Sequence, residues 1–264
     1  MKLSGILLPA ALAALGVSAL GRPPVERPVR MNAAFGPVEQ AAQDELQTLL
    51  KKLKSASPEE RRDAAQQLAG LADPRSVDAL TAVLIDTDPG VRAAAADALG
   101  QIADKRAVEP LIALLKDNIA FVRSAAARVL GQLADARAQA PLKSALQDSS
   151  SSVRGAAALG LGLLHDTKAV SDLIPYLRDE APDVRAAVAA ALGDLKEKSA
   201  VEPLLQLLKD ERTVRVAAAI ALADIGDKRA LARLKEAVDA EKEPEIKSQM
   251  ADALHRLTTA PDQS

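Results

Sequence analysis

The residues best able to do chemistry are concentrated in one stretch of this 264-residue sequence, SSSSVRGAAALGLGLLHDTKAVSDLIPYL at positions 149–177. It contains four consecutive serines, one of the two histidines, His165, and the only tyrosine, Tyr176. A serine hydroxyl becomes a nucleophile when a histidine base lies within about 3 Å of it. A histidine can also hold a metal ion when two or three further ligands surround the same ion.

Serine catalysis is excluded by the helical pattern that surrounds these residues. Apolar residues between positions 153 and 164 recur at helical spacing, so the serines lie at the start of a helix and His165 lies just past its end. About 12 helical residues separate the two groups by about 18 Å. Ser150 is therefore interpreted as a helix N-cap.

Metal binding is excluded by the small number of ligands. The two histidines, His165 and His255, lie three repeats apart, which is about 25 to 30 Å when helix layers are about 8 to 10 Å apart. The sequence has no cysteine, which excludes disulfides, thiolate zinc sites and a cysteine nucleophile. We therefore predict no catalytic residue, no metal site and no cofactor.

The elements that position these residues are repeats. An aspartate recurs at a spacing of 31 residues, and an apolar residue followed by arginine comes after each aspartate. The aspartates are Asp86, Asp117, Asp148, Asp179 and Asp210, and the arginines are Arg92, Arg123, Arg154, Arg185 and Arg215. A period of about 20 to 50 residues is typical of a solenoid.

Each repeat predicts two helices. In the repeat that begins at Asp88, this aspartate can cap the first helix and Pro89 suits its first position. Apolar residues at helical spacing follow over 91–102 and, after a turn at Asp104, again over 108–115. The same pattern predicts six full helix pairs over the chain.

These helix pairs divide the chain into regions. The six pairs cover residues 58–240, and a more polar half unit lies on each side, at 38–54 and 243–257. We therefore assign residues 38–257 to one repeat domain and residues 258–264 to a polar tail.

The repeat sequences VRAAAADALGQIADKRAVEPLIALLKD and VRAAVAAALGDLKEKSAVEPLLQLLKD resemble the HEAT-like repeats of phycobilin lyases and related all-α proteins. The resemblance covers residues 56–257. It implies an all-α fold, a right-handed α-solenoid of about six HEAT-like helix pairs with half-repeat caps. It also implies that the first helix of each pair lies on the convex side and the second helix on the concave side.

The recurring charges are interpreted as structure. Asp and Arg stacked from unit to unit would form a ladder that holds the loops and satisfies backbone carbonyls. We assign this ladder to the ten aspartates and arginines named above, with pairs such as Asp117 with Arg123. A second row lies at the turn inside each pair, where Asp73 and Arg75 begin a series that continues with Asp104 and Arg106.

Composition directs the functional prediction towards protein binding. The formal net charge is −2, which provides no basic field for nucleic acid, and the aromatic residues are one tyrosine and two phenylalanines. We predict a monomeric, non-enzymatic scaffold that binds a protein or peptide on its concave face, with no nucleic acid or membrane partner. The predicted contact residues are exposed positions of the second helices: Glu109, Lys116, Gln147, Tyr176, Arg178, Glu202, Gln206 and Lys209.

Two other functions stay open at this point. The first is an enzyme of a HEAT-like family, of the bilin lyase or isomerase type or of the hydroxylase type. Hydroxylases of this kind carry several His-Glu pairs, and this sequence has no His-Glu dipeptide. The second is a structural spacer tethered to a membrane.

The N-terminal region predicts export. MKLSGILLPAALAALGVSALG, residues 1–21, has an early lysine, an apolar stretch and small residues at its end, as in a secretory signal peptide. Cleavage is expected near Ala19 or Gly21, and the alternative is an uncleaved anchor. Residues 22–37 are rich in proline and predict a linker. We expect a periplasmic or extracellular protein whose only membrane segment is this signal.

The fourth repeat differs from the others and predicts a hinge. Gly155, Gly160 and Gly162 lie in its first helix, where each glycine destabilises the helix by about 1 kcal/mol relative to alanine. Pro175 lies inside its second helix, where it would remove a hydrogen bond and kink the helix. Tyr176 is expected either to face the concave groove or to fill space left by the kink.

Overall fold

The computed structural model of the protein describes residues 36–261. The predicted signal peptide, all but the last two residues of the predicted linker and the last three residues of the tail lie outside the described residues. Within that range the chain forms fourteen α-helices, and no strand is present. Their bounds are α1 Pro37–Lys52, α2 Pro58–Leu71, α3 Val77–Ala82, α4 Pro89–Ile102, α5 Val108–Leu114, α6 Ala120–Gln132, α7 Gln139–Ala145, α8 Ser151–Leu163, α9 Ala169–Leu173, α10 Pro182–Leu195, α11 Val201–Gln206, α12 Arg212–Ile225, α13 Leu231–Ala240 and α14 Pro244–Thr259.

The helices form six stacked pairs with one additional helix at each end. The first helices are the even-numbered α2 to α12 and the second helices are the odd-numbered α3 to α13, while α1 and α14 are the half units. One hydrophobic core runs through all of the pairs. The predicted all-α solenoid of six helix pairs with half-repeat caps is confirmed.

Helix α4 illustrates why the repeat sequence folds in this way. The Asp88 carboxylate accepts a hydrogen bond from the backbone N–H of Val91 at 2.9 Å, and Pro89 occupies the first turn. The helix ends at Ala103, which adopts a left-handed conformation with φ 57°. The Asp88 cap and the Pro89 position are therefore as the sequence predicts.

The first helices pack closely because their contacting residues are alanine and glycine. A Cβ atom added to Gly131 in α6 would lie 2.5 Å from the Cα of Gly160 in α8, and one added to Gly162 would lie 2.8 Å from the Cα of Ala191 in α10. Gly160 and Gly162 therefore make close helix contacts possible. These close contacts add a packing role to the helix-propensity cost that the sequence assigns to the two glycines, whereas a Cβ atom added to Gly155 would lie at an ordinary contact distance, 3.7 Å, from the Ala187 Cβ.

The second helices are short and most of them change into 3₁₀ or turn geometry at their ends. In the fourth pair the α-helical part is only five residues long, and 3₁₀ geometry begins at Ile174, directly before Pro175. In the first and fifth pairs the same change begins at Val83 and Leu207, about two positions later in the repeat. Pro175 therefore shortens the helix, as its missing N–H requires.

Among residues 36–261, no helix is long and apolar enough to cross a membrane.

Candidate protein-binding surface

The serines and the histidine of the fourth repeat are at opposite ends of α8. Ser150 occupies the N-cap position, as the sequence predicts, although its hydroxyl contacts the Ser152 hydroxyl at 2.9 Å and makes no cap hydrogen bond. His165 is exposed and adopts φ 51° just after the helix. The same left-handed position holds alanine in three other units, so His165 occupies a recurrent structural position.

Metal ligands are not clustered in the part of the chain that the structure describes. No group of three or more His, Cys, Asp or Glu residues there could hold a metal ion. Many of the acidic residues are instead paired with arginine, in two regular rows.

The first row links each loop to the next unit, and Arg123 shows its geometry. Its Nε and Nη2 atoms each donate to the Asp148 carboxylate at 2.7 Å, while Nη1 donates to the Asp117 carbonyl oxygen at 2.9 Å. The Asp117 carboxylate accepts from the N–H of Ile119 at 2.8 Å. The carboxylate partner of Arg123 is thus one unit further along than Asp117, which corrects the predicted pair. The backbone carbonyl of Asp117 accepts the hydrogen bond from the remaining guanidinium nitrogen, Nη1.

The same arrangement repeats through the solenoid. The bidentate pairs in this ladder are Arg61–Asp86, Arg92–Asp117, Arg123–Asp148, Arg154–Asp179 and Arg185–Asp210. The ladder changes at Arg215, whose Nε lies 2.8 Å from the Glu241 carboxylate. The loop before Arg215 is one residue shorter than the earlier loops, so the repeat of 31 residues ends there.

Burial and pairing shift the acidity of these groups. The hydrogen bonds that Arg123 donates to the Asp148 carboxylate lower the pKa of Asp148 and raise the pKa of Arg123. Only 14% of each side chain is exposed. The pair is therefore held in its charged form and joins two units.

The second row lies at the turn inside each pair. The Asp104 carboxylate accepts from the backbone N–H of Arg106 at 2.9 Å and also binds its guanidinium, which reaches the Pro74 carbonyl at 3.0 Å in the preceding unit. In the next unit, hydrogen bonds from Arg137 lower the pKa of Asp135 to about 2. Hydrogen bonds within each of these turns therefore stabilise the turn itself, and the arginine also connects it to the preceding unit.

The predicted contact residues belong to the second helices and the turns that follow them, and we call the exposed surface of these segments the second-helix face. Tyr176 is half-buried and packs against the core, and the other seven are exposed. Two of them form ion pairs along the stack, Glu109 with Arg137 at 3.5 Å and Glu202 with Arg233 at 3.3 Å. The packing of Tyr176 against the core favours the space-filling alternative.

Three grooves open between neighbouring second helices on this face. The groove between α3 and α5 has a volume of about 330 Å³, the one between α9 and α11 about 850 Å³, and the one between α11 and α13 about 590 Å³. Leucines form much of the groove floors. Five of the predicted contact residues line these grooves, namely Lys116, Arg178, Glu202, Gln206 and Lys209.

A line of unpaired cations runs along the edge of these grooves. Lys116, Arg178 and Lys209 occupy the same position in the second, fourth and fifth repeats, and Gln147 occupies it in the third. All three cations are exposed, and none has an ion-pair partner among residues 36–261. Ile85 holds this position in the first repeat and is 88% exposed. The sequence interpretation missed Ile85, although the spacing of 31 residues from Lys116 would have found it.

Comparison with known proteins supports the repeat assignment. The sequence matches the family of HEAT repeats at residues 46–126, 120–181 and 170–255. The fold is similar to the complex of CpcE and CpcF of phycocyanin lyase from Nostoc sp. PCC7120, with 26% identity, a TM-score of 0.57, and coverage of 83% of this chain and 90% of that chain. It is also similar to the E. coli protein YibA, with 23% identity, a TM-score of 0.60, and coverage of 81% and 82% of the two chains.

Human deoxyhypusine hydroxylase is more distant. It has 23% identity and a TM-score of 0.43, over 84% of this chain and 90% of that chain, which carries no functional argument. No curated protein matches the sequence.

Proposed function

Because this chain belongs to the HEAT repeat family, we propose that it is a non-enzymatic scaffold that binds a protein or peptide on its second-helix face. The resemblance to HEAT-like repeats implies that this face is the concave one. The observation that carries the proposal is the recurrence of grooves between successive second helices, each bordered by a cation of the row Lys116, Arg178 and Lys209.

The spacing of these cations suggests the form of the partner. Helix layers repeat at about 8 to 10 Å, and a segment in the polyproline II conformation, with about three residues per turn, advances by about 9 Å per turn. Acidic side chains at every third residue of such a segment would stay on one face, so that one of them could meet the cation of each layer that has one. The apolar side chains of the segment would enter the grooves, whose floors include Leu84, Leu177 and Leu208.

Selection from a library of random twelve-residue peptides tests this proposal. Peptides enriched on the wild-type protein should be rich in Asp and Glu. Reversing Lys116, Arg178 and Lys209 to Glu should weaken their binding by about tenfold or more. The matched control reverses Lys51, Lys52 and Lys54 to Glu, which changes the net charge equally and should leave binding unchanged. Enriched peptides that bind both variants as tightly as wild type would refute the proposed site.

An enzyme of the bilin lyase or isomerase type is the second candidate, and the similarity to the phycocyanin lyase complex is the observation that favours it. Such an activity requires a bound tetrapyrrole. Mixing the purified protein with free phycocyanobilin and recording its absorbance spectrum distinguishes the two functions. The scaffold proposal expects no spectral shift, whereas a saturable shift would favour the lyase.

We also propose that the chain is exported and that its signal peptide is removed near Ala19 or Gly21. The apolar stretch and the small residues of the N-terminal sequence support this proposal. Intact-mass measurement of the protein from its native source tests it. A mass that retains residues 1–19 would instead support a membrane tether.

A further inference from the structure

A second surface with different chemistry lies on the exposed side of the first helices. Leu159, Ala190 and Ile220 occupy one repeat position in α8, α10 and α12, and Leu159 and Ile220 are 42% and 40% exposed. In α4 and α6 the same position holds Asp97 and Arg128, which form an ion pair with each other. The surface therefore changes from charged to apolar at the fourth repeat.

The apolar positions line two grooves. One groove, of about 340 Å³, contains Leu159 and Leu163 of α8 with Ala187 of α10. The other, of about 500 Å³, contains Ala190 of α10 with Val216 and Ile220 of α12. We call this surface the first-helix strip, and it consists of Leu159, Leu163, Ala187, Ala190, Val216 and Ile220.

Most of the free charges around the strip are negative. Four exposed carboxylates have no ion-pair partner among residues 36–261, namely Asp183, Asp194, Glu245 and Asp252. The arginines of α6, α12 and α14 beside the strip already have partners, in the ion pairs Arg128–Asp97, Arg212–Glu243 and Arg256–Asp224. Lys196, in the turn after α10, is exposed and has no ion-pair partner among residues 36–261.

Asp194 is the least favourably placed of these carboxylates. It lies in the last turn of α10, where the helix dipole is negative and disfavours an acidic side chain. Asp224 holds the equivalent position in α12, and its carboxylate pairs with Arg256 at 3.2 Å. An external cation at Asp194 would supply the interaction that α12 obtains from its own chain.

We propose that the first-helix strip binds a cationic amphipathic helix of a partner protein. Seven residues of a helix advance by about 10.5 Å, close to the spacing of about 8 to 10 Å between helix layers. Apolar residues at heptad spacing would therefore contact Leu159, Ala190 and Ile220 in turn. Lysine or arginine on the flanks of the same helix would meet Asp194 on one side and Asp183 on the other. This site is separate from the second-helix face, and the sequence prediction of a monomer is compatible with it.

A labelled eighteen-residue amphipathic helix of leucine and lysine is the probe for this site. Fluorescence anisotropy should show saturable binding to the wild-type chain. Leu159→Ser with Ile220→Ser should weaken binding by about tenfold or more, and Asp194→Lys with Asp252→Lys should do the same at low salt. The control Gln101→Lys places a charge at the position in α4 that corresponds to Asp194, and it should leave binding unchanged. Circular dichroism of each variant verifies that the fold is retained.

Three results would overturn the proposal. A leucine–glutamate peptide of the same pattern that binds as tightly as the lysine peptide would exclude the role of the carboxylates. Sedimentation of the wild-type chain as a dimer that Leu159→Ser dissociates would assign the strip to a second copy of this chain. Binding to phosphatidylcholine–phosphatidylglycerol vesicles that Ile220→Ser abolishes would assign it to a lipid surface.

Discussion

At the scale of single residues, the arginine that follows each loop explains how neighbouring units are held together. Its guanidinium forms a bidentate pair with the carboxylate of the next unit and also binds a carbonyl of its own loop, as Arg154 does with Asp179 at 2.8 Å and with the Asp148 carbonyl at 3.0 Å. Arg154 and Asp179 are 10% and 7% exposed. A charge left without its partner at this depth is expensive, so the ladder tolerates the loss of either member poorly.

Arg154→Ala should therefore destabilise the protein by about 2 to 4 kcal/mol, because the Asp179 carboxylate and the Asp148 carbonyl both lose a buried donor. Urea denaturation measures the change. Lys143→Ala is the matched control, since Lys143 is exposed and its partner Asp172 is only partly buried, so the loss of this pair should change stability by less than about 1 kcal/mol. Equal effects of the two substitutions would contradict the structural role of the ladder.

The ladder also predicts how stability depends on pH. The hydrogen bonds from Arg123 lower the pKa of Asp148 below its ordinary value of 3.8. A group whose pKa is lowered by folding contributes its full stability above the unfolded pKa and loses it as the pH falls through the folded pKa. Stability should therefore be constant above about pH 5 and should fall below about pH 4. Asp148→Asn should be less stable at neutral pH and should show a shallower acid decrease in thermal denaturation, and an unchanged slope would count against this assignment.

At the scale of helices, glycine determines how closely α8 packs between its neighbours. Gly160 and Gly162 face the backbones of α6 and α10, whereas a Cβ atom added to Gly155 would make only an ordinary contact with the Ala187 side chain. The sequence predicted only that each of the three glycines lowers the helix propensity of α8. It could not distinguish them, because the distinction depends on which positions of the helix contact a neighbouring backbone.

Gly162→Ala should consequently destabilise the protein by about 1 to 3 kcal/mol, since the new Cβ would lie 2.8 Å from the Cα of Ala191. Gly155→Ala in the same helix should stabilise it by up to about 1 kcal/mol through helix propensity. Thermal denaturation of the two variants measures both changes. A stabilising Gly162→Ala would show that α8 and α10 are less closely packed than described.

The hinge in the fourth repeat stays a prediction, now limited to the second helix. The close packing of α8 should give its amides the same hydrogen-exchange protection as those of α6 and α10, while residues 174–178, in 3₁₀ geometry at Pro175, should exchange faster. Mass-spectrometric hydrogen exchange measures both regions. Faster exchange throughout α8 would support a hinge that includes both helices of the fourth repeat, and full protection over 174–178 would contradict a hinge in this repeat.

At the scale of the whole molecule, the fold was predictable because one spacing of 31 residues specifies it many times. The Asp88 cap, the recurring prolines and the apolar stripes all indicate the same helix pairs, and the structure contains them. The ladder pairs were less predictable, because Arg123 is closer in sequence to Asp117 than to its carboxylate partner Asp148. The first-helix strip was not predicted, since its leucines stand out only when the repeats are aligned on the folded helices.

Photocrosslinking from the second-helix face tests the proposed scaffold function most directly. A photoreactive benzoylphenylalanine at Gln206, which lines the groove of about 850 Å³, should give one discrete adduct in cells that express the native partner. The adduct should be lost when Lys116, Arg178 and Lys209 are reversed to Glu, and when an acidic peptide selected on the wild-type protein competes for the face. The same photoreactive residue at the exposed Gln66 of α2 should give no adduct. Failure to form an adduct at Gln206, or an identical adduct from Gln66, would contradict the account.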